Sequence, residues 1–210
     1  MSTTMANISA AQVKELREKT GAPMMDCKAA LVESKGDLDQ AHKILRQRGQ
    51  ATAAKRSTKT TSEGAVGTYI HGGGRIGVLV EVNCETDFVA RTTDFQTLLK
   101  DLAMHIAACE PRFVEREQVT EAVLAEEREI YRQQAKATGK PEAVVEKIVT
   151  GKMEKYYQEF CLLEQPFVRD PNTSVRDVVN AVIAKCGENV RVRRFVRFVL
   201  GQDDRRGAAQ

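Results

Sequence analysis

Along most of this chain the large apolar residues recur every three or four positions, but between Gly64 and Asn83 they recur at every second one. A period near 3.6 belongs to a helix and a period of 2 to a strand, so the chain must mix the two. Val66, Thr68 and Ile70 alternate with Gly67, Tyr69 and His71; after Gly72, Gly73 and Gly74, Ile76, Val78, Val80 and Val82 alternate with Gly77, Leu79 and Glu81. Two such runs about a glycine turn predict a β-hairpin. Near the C-terminus Val192, Arg194, Val196 and Phe198 alternate with Arg191, Arg193, Phe195 and Arg197, a third strand for the same sheet. The expected fold class is α+β, with a three-stranded antiparallel sheet, packed helices and a projecting helical hairpin behind an N-terminal three-helix bundle.

The bundle is read from caps. Ser9 precedes a helix carrying Val13 and Leu16, which Gly21 ends. Pro23 opens a second through Met24, Cys27, Ala30 and Leu31, stopped by Gly36, and Asp37 caps a third through Leu38, Ala41, Ile44 and Leu45, stopped by Gly49. So small a core leaves little room for a pocket, and residues 1–49 read as a docking module. Residues 50–63, QATAAKRSTKTTSE, contain no large apolar residue. They read as a linker in preference to the frayed end of a helix.

Residues 64–202 form the core. Behind the hairpin, CETDFVARTTDF leads into a helix whose capping box is Thr93 with Gln96 and whose stripe is Phe95, Leu98, Leu99, Leu102, Ile106 and Ala107. His105 lies beside that stripe and reads as a core or interface histidine. From Glu115 to Phe160 two charged, antiparallel helices are expected, broken at Thr138–Pro141. Their seams are Val119, Val123, Ile130 and Ala137 on one side and Val145, Val149, Met153, Tyr156 and Phe160 on the other. Such narrow seams suit a hairpin that packs on itself or on a second copy. A last helix, Val175 to Cys186, is closed by Gly187, and residues 203–210 read as a disordered tail.

No constellation for covalent chemistry is visible. The triple glycine is followed by a strand and by no GxxxxGK[ST], which disfavours a phosphate loop. The five cysteines form no CxxC pair and the three histidines are scattered, which disfavours a metal site, and no cofactor is expected. An odd cysteine count fits a reducing compartment, and no leader or long apolar run marks a membrane, so a cytoplasmic protein is expected. With 32 basic and 29 acidic residues the net charge is only +3, too small to imply nucleic acid by itself. A binding protein is expected. TDFV, between strand and helix, would present a carboxylate, Asp87, beside an apolar wedge, Phe88; the alternative is that Phe88 anchors the core.

Three stretches carry a resemblance. ISAAQVKELREKTGAPMMDCKAALVESKGDLDQAHKILRQRG, YIHGGGRIGVLVEVNCETDFVAR and GKPEAVVEKIVTGKMEKYYQEFCLLEQPFV resemble the bacterial elongation factor Ts family, in its short form. With the C-terminal strand the likeness runs from about Ile8 to Gly201.

The resemblance implies a ubiquitin-associated-like bundle that docks on elongation factor Tu through residues around Val13, Leu16, Met24 and Met25. It also implies that Thr86, Asp87, Phe88 and Val89 form the exchange motif. Asp87 and Phe88 would enter the partner near its Mg²⁺ and phosphate site so that GDP leaves, with no covalent chemistry by this chain. Longer members carry two copies of the core subdomain and this chain carries one, so a homodimer is expected, with no membrane and no direct nucleic acid. The competing reading is an RNA- or ribosome-associated protein that uses Lys55, Arg56, Lys59 and the Arg191 to Arg197 strand.

Overall fold

The computed structural model describes residues 8–202, so the tail expected at 203–210 lies outside the described residues. Contacts gather the chain into two compact units. One takes the chain through Val66, Val82–Leu99 and Asp177–Arg191; the other takes Gly67–Glu81, Lys100–Arg176 and Val192 onward. Among the described residues no helix is long and apolar enough to cross a membrane.

In the first unit, helix α1 (Ala10–Thr20) begins in the expected capping box, Ser9 with Gln12, and ends at Gly21, whose φ is +67°. Helix α2 (Met24–Glu33) follows Pro23, and helix α3 (Leu38–Arg56) is capped by the Asp37 carboxylate, which accepts the Gln40 N–H at 2.9 Å. Val13, Leu16, Cys27, Ala30, Leu31, Ala41 and Ile44 form the core of the bundle. The expectation that Gly49 stops α3 is not met: the helix runs to Arg56, through the first half of the expected linker. Gln50, Ala51, Ala53, Ala54 and Lys55 are all good helix formers, and Gly49 itself has ordinary helical backbone.

What holds that extension is helix α8 (Val175–Cys186). A Cβ on Gly49 would lie 3.7 Å from the Asn180 carbonyl and 3.9 Å from the Ala184 Cβ, so α3 runs close along α8 there. The buried Asp177 carboxylate accepts from Arg46 at 2.8 Å and from Gln50 at 3.0 Å, one turn apart on α3.

The sheet has the expected three strands, β1 (Glu63–His71), β2 (Ile76–Cys84) and β5 (Val190–Val199), in the order β1-β2-β5 and antiparallel. Gly64 is required where it stands. Its φ is +144°, and a Cβ there would meet the Val82 carbonyl oxygen at 2.2 Å. Along β2, Val78, Val80, Val82 and Cys84 are buried while Leu79 is exposed, as the alternation requires. Along β5 the alternation slips, because Val190 and Val192 are buried but Arg193 and Arg194 are both exposed. A one-residue slip exchanges the faces of all that follows. Arg197 is accordingly largely covered, reaching the Ala107 carbonyl and, at 2.9 Å, Glu110.

A one-turn helix α4 (Asp87–Ala90) leads into α5 (Thr93–Cys109). The cap of α5 is Thr92, one residue before the expected Thr93: its hydroxyl accepts the Phe95 N–H at 3.3 Å. Phe95, Leu98, Leu99, Leu102, Ile106 and Ala107 are buried as expected, and so is His105. The Val168 N–H donates to His105 Nδ1 at 3.2 Å, so Nε2 carries the proton and donates to Gln165 Oε1 at 2.9 Å. Burial holds the His105 pKa below its ordinary 6.5. The histidine thereby fastens a short hairpin, β3 (Pro166–Phe167) and β4 (Asp170–Ser174), that the sequence did not predict.

Helices α6 (Glu121–Lys136) and α7 (Glu142–Phe160) form the expected hairpin with a core of their own. On α7 Val145, Val149, Met153 and Tyr156 are buried as expected. On α6 the seam is instead Leu124 and Ala135 with Val123 and Tyr131 packed beside them, and Ile130 is exposed. Of the expected seam Val119 is buried and Val123 stays at its edge, but a strict seven-residue spacing drifts around a helix of 3.6 residues per turn, so Ile130 and Ala137 leave the contact face.

Candidate partner-binding site

The four residues of TDFV are placed in four different environments. Thr86 is the N-cap of α4, its hydroxyl oxygen accepting the Val89 N–H at 3.4 Å. Asp87 is half-exposed, and Arg91 donates to its carboxylate at 2.7 Å, one turn along. Phe88 is 78% exposed and Val89 is buried. Phe88 is therefore no core anchor; it stands in solvent, and burial of Val89 and Ala90 on the other side of the turn keeps it there. An exposed phenylalanine on a fixed backbone loses little freedom when it is covered by a partner, which is the property of a wedge.

The mount beneath it comes from the segment after α8. Thr86 donates its N–H to Glu188 Oε2 at 3.0 Å and its O–H to Glu188 Oε1 at 2.7 Å. One residue away the arrangement is reversed: Asn189 donates its N–H to Glu85 at 2.6 Å. The Asn189 amide donates to the carbonyls of Ser57 and Lys59, at 3.4 and 2.8 Å, which ties down the chain after α3. Cys84 is buried, its thiol 3.1 Å from the Thr86 carbonyl; burial, with the nearby Glu188 charge, pushes its pKa to about 11 and keeps it a thiol. Glu188 and Asn189 were missed from the sequence. Their only signal there is a pair of polar residues between a helix-ending Gly187 and a strand.

The expected dock divides in two. Val13 and Leu16 are 7% and 1% exposed, part of the bundle core, so a role at the surface is corrected: they hold α1 against its neighbours. Met24 and Met25 are 54% and 71% exposed, and Val32, seven residues beyond Met25 and so on the same side of α2, is exposed as well. That patch of flexible thioethers and one valine suits an apolar partner surface.

Of the basic residues of the competing reading, Lys55, Lys59, Arg191 and Arg193 are exposed, while three others are engaged by the chain itself. Arg56 faces Glu85 at 3.7 Å, Arg194 pairs with Glu81 at 2.7 Å, and Arg197 is largely covered on the end of α5. Among the described residues no three His, Cys, Asp or Glu side chains gather as a metal site.

A model of the family Elongation factor TS matches residues 3–202. The Elongation factor Ts of Moorella thermoacetica is 61% identical over 195 residues, covering 93% of this chain and 96% of that one. That of Koribacter versatilis is 60% identical, covering 93% of this chain and 89% of its own. That of Anaeromyxobacter sp. strain K is 59% identical over 198 residues, or 94% and 90%.

Proposed function

The chain belongs to the elongation factor Ts family, translation elongation factors, and from that premise we propose that it releases GDP from elongation factor Tu. Asp87 and Phe88 enter the partner near its Mg²⁺ and phosphate site, and Met24 and Met25 of the bundle dock on it. The observation that carries this reading is the exposure of Phe88 on a turn fastened from behind by Glu188. Exchange follows from linkage. If the factor binds nucleotide-free partner better than GDP-bound partner by some ratio, GDP weakens the factor by the same ratio, and each tenfold requires about 1.4 kcal/mol of differential contact. Asp87 reaches the partner by giving up Arg91, an exposed pair of little strength.

Release of labelled GDP from elongation factor Tu is the test. Substoichiometric amounts of this protein should speed release, because fresh nucleotide expels the factor and regenerates it. An unchanged off-rate with active partner refutes the proposal.

The chain also pairs with a second copy through its sheet. Ile70, Leu79 and Phe198 are large apolar side chains left exposed on β1, β2 and β5, and Ile70 lies over Gly77, on the same face of β2 as Leu79. Sedimentation should give twice the chain mass at micromolar concentration, and Leu79→Glu should return it to one.

A further inference from the structure

We propose that Glu188 is the positioning residue of the exchange motif: it does not meet the partner, but sets the direction in which Phe88 meets it. The inference rests on the exchange function proposed above. Phe88, 78% exposed, has almost no packing to fix it, so its placement is inherited from the backbone of α4. That helix is four residues long, far too short to hold its own shape, since a single turn fixes several dihedral angles for one hydrogen bond. Something outside the turn must hold it.

The last residue of α4 is held by the Gln96 amide, which donates to the Ala90 carbonyl at 2.7 Å, and its N-cap Thr86 has each of its polar groups occupied. Within the turn, its hydroxyl oxygen accepts the Val89 N–H at 3.4 Å and its carbonyl accepts the Ala90 N–H at 3.4 Å; both are long, weak bonds. The two short ones come from Glu188, whose carboxylate oxygens take the Thr86 N–H at 3.0 Å and O–H at 2.7 Å. A hydrogen bond to a charged acceptor is about twice as strong as a neutral one. The division also fixes the hydroxyl: because its proton goes to Glu188, its lone pairs must face Val89, so the side-chain cap and the clamp enforce each other. The neighbouring bond, Asn189 N–H to Glu85 at 2.6 Å, stops the clamp from pivoting about a single point.

Glu188 is also set on a rigid base. It follows α8 by two residues, Gly187 closes that helix by donating its N–H to the Ile183 carbonyl at 2.9 Å, and the buried Val190 begins β5 two residues later. A carboxylate between a helix end and a strand start can hold its position while the turn it clamps meets a partner.

The experiment measures GDP release from elongation factor Tu over a range of exchange-factor concentrations. It uses the full chain with Glu188→Ala, Glu188→Gln, Phe88→Ala and the double variant Glu188→Ala/Phe88→Ala. Glu188→Ala should lower the maximal release rate on the order of tenfold while the half-saturating concentration moves less than about twofold, because the bundle dock is untouched. Glu188→Gln should recover part of that rate, since its amide oxygen still accepts the Thr86 N–H while its amide nitrogen cannot take the Thr86 hydroxyl proton. The double variant should be no slower than Phe88→Ala, because without the ring there is nothing to aim. Backbone order parameters for residues 87–90, read without any partner, should fall from about 0.85 toward 0.6 in Glu188→Ala alone.

Glu188→Ala with an unchanged maximal rate beside a slow Phe88→Ala overturns the positioning role and leaves the exchange function standing. So does a loss that adds to that of Phe88→Ala, or one that tracks a fall in melting temperature. A wild-type chain that leaves the GDP off-rate unchanged overturns both.

Discussion

Phe88 and Gly49 show how little of a residue's role lies in its type. Phe88 has the composition of a core residue and stands in solvent; Gly49 looks like a helix stop and lies within a helix. What separated the readings was the neighbours each acquires in the fold. TDFV was legible as a motif, but the carboxylate that fastens its turn comes from Glu188, a hundred residues along the chain, and no local pattern reports that. For Phe88→Ala the expected result is a melting temperature within about 2 °C of wild type. GDP release should slow tenfold or more, about 1.4 kcal/mol of lost differential binding. A large fall in melting temperature with release preserved would return Phe88 to the core. The two glycines should answer oppositely to alanine. Gly49→Ala has room for its methyl and should stabilise by about 0.5–1 kcal/mol. Gly64→Ala drives a methyl into the Val82 carbonyl and should cost at least about 1 kcal/mol. Denaturant melts of the pair decide both.

Helices fared well in the sequence where caps were explicit and poorly where tertiary contact decided. Ser9, Asp37 and Gly187 marked true ends, whereas α3 outran Gly49 because α8 gives its last turns a surface and its Arg46 and Gln50 a buried carboxylate. A fragment that begins at Gln50 would therefore leave Asp177 without Arg46. In that fragment Asp177→Asn should leave the melting temperature unchanged or raise it, because the Arg46 pair is already gone; in the full chain it should lower it by breaking the ion pair. The same sign in both would mean that α3 and α8 do not depend on each other in this way. In the helical hairpin, Tyr156 is buried with a hydroxyl that has no hydrogen-bond partner among the described residues, a cost of about 1–3 kcal/mol. Tyr156→Phe removes the group and keeps the ring, so it should be neutral or stabilising by chemical denaturation; a clear loss would show that the hydroxyl is satisfied in solution.

For the whole molecule the class was legible: one hairpin, one late strand and helices between them left few alternatives to a small sheet covered by helices. One contribution to the stability of the folded chain toward acid was not legible, because it comes from a buried ring. His105 accepts from Val168 through Nδ1, and a protonated imidazole has no lone pair with which to accept. Its folded pKa is depressed, so as pH falls through about 6.5 the unfolded chain takes up the proton first. Stability present above that pH is then lost on acidification, by up to about 1.4 kcal/mol per pH unit, until the folded ring also protonates. Melts between pH 7.5 and about 5 should show this slope in the wild type, and His105→Gln should flatten it. An equal slope in both would assign the acid response elsewhere.

Helix α8 bears on how such a chain can change length over generations. Asp177 near its start holds α3, Lys185 near its end reaches Asp94, and Glu188 just beyond it holds the turn under Phe88. One residue inserted between them would rotate everything downstream by about 100° and advance it by about 1.5 Å, so no single fastening could be kept without releasing another. The turn from Thr138 to Pro141 joins two helices that pack on each other, and added residues there cost little, about 0.6 kcal/mol for each doubling of the loop. Insertions and deletions among relatives should accordingly collect at the tip of the hairpin, while the interval from Asp177 to Asn189 keeps one fixed count of residues.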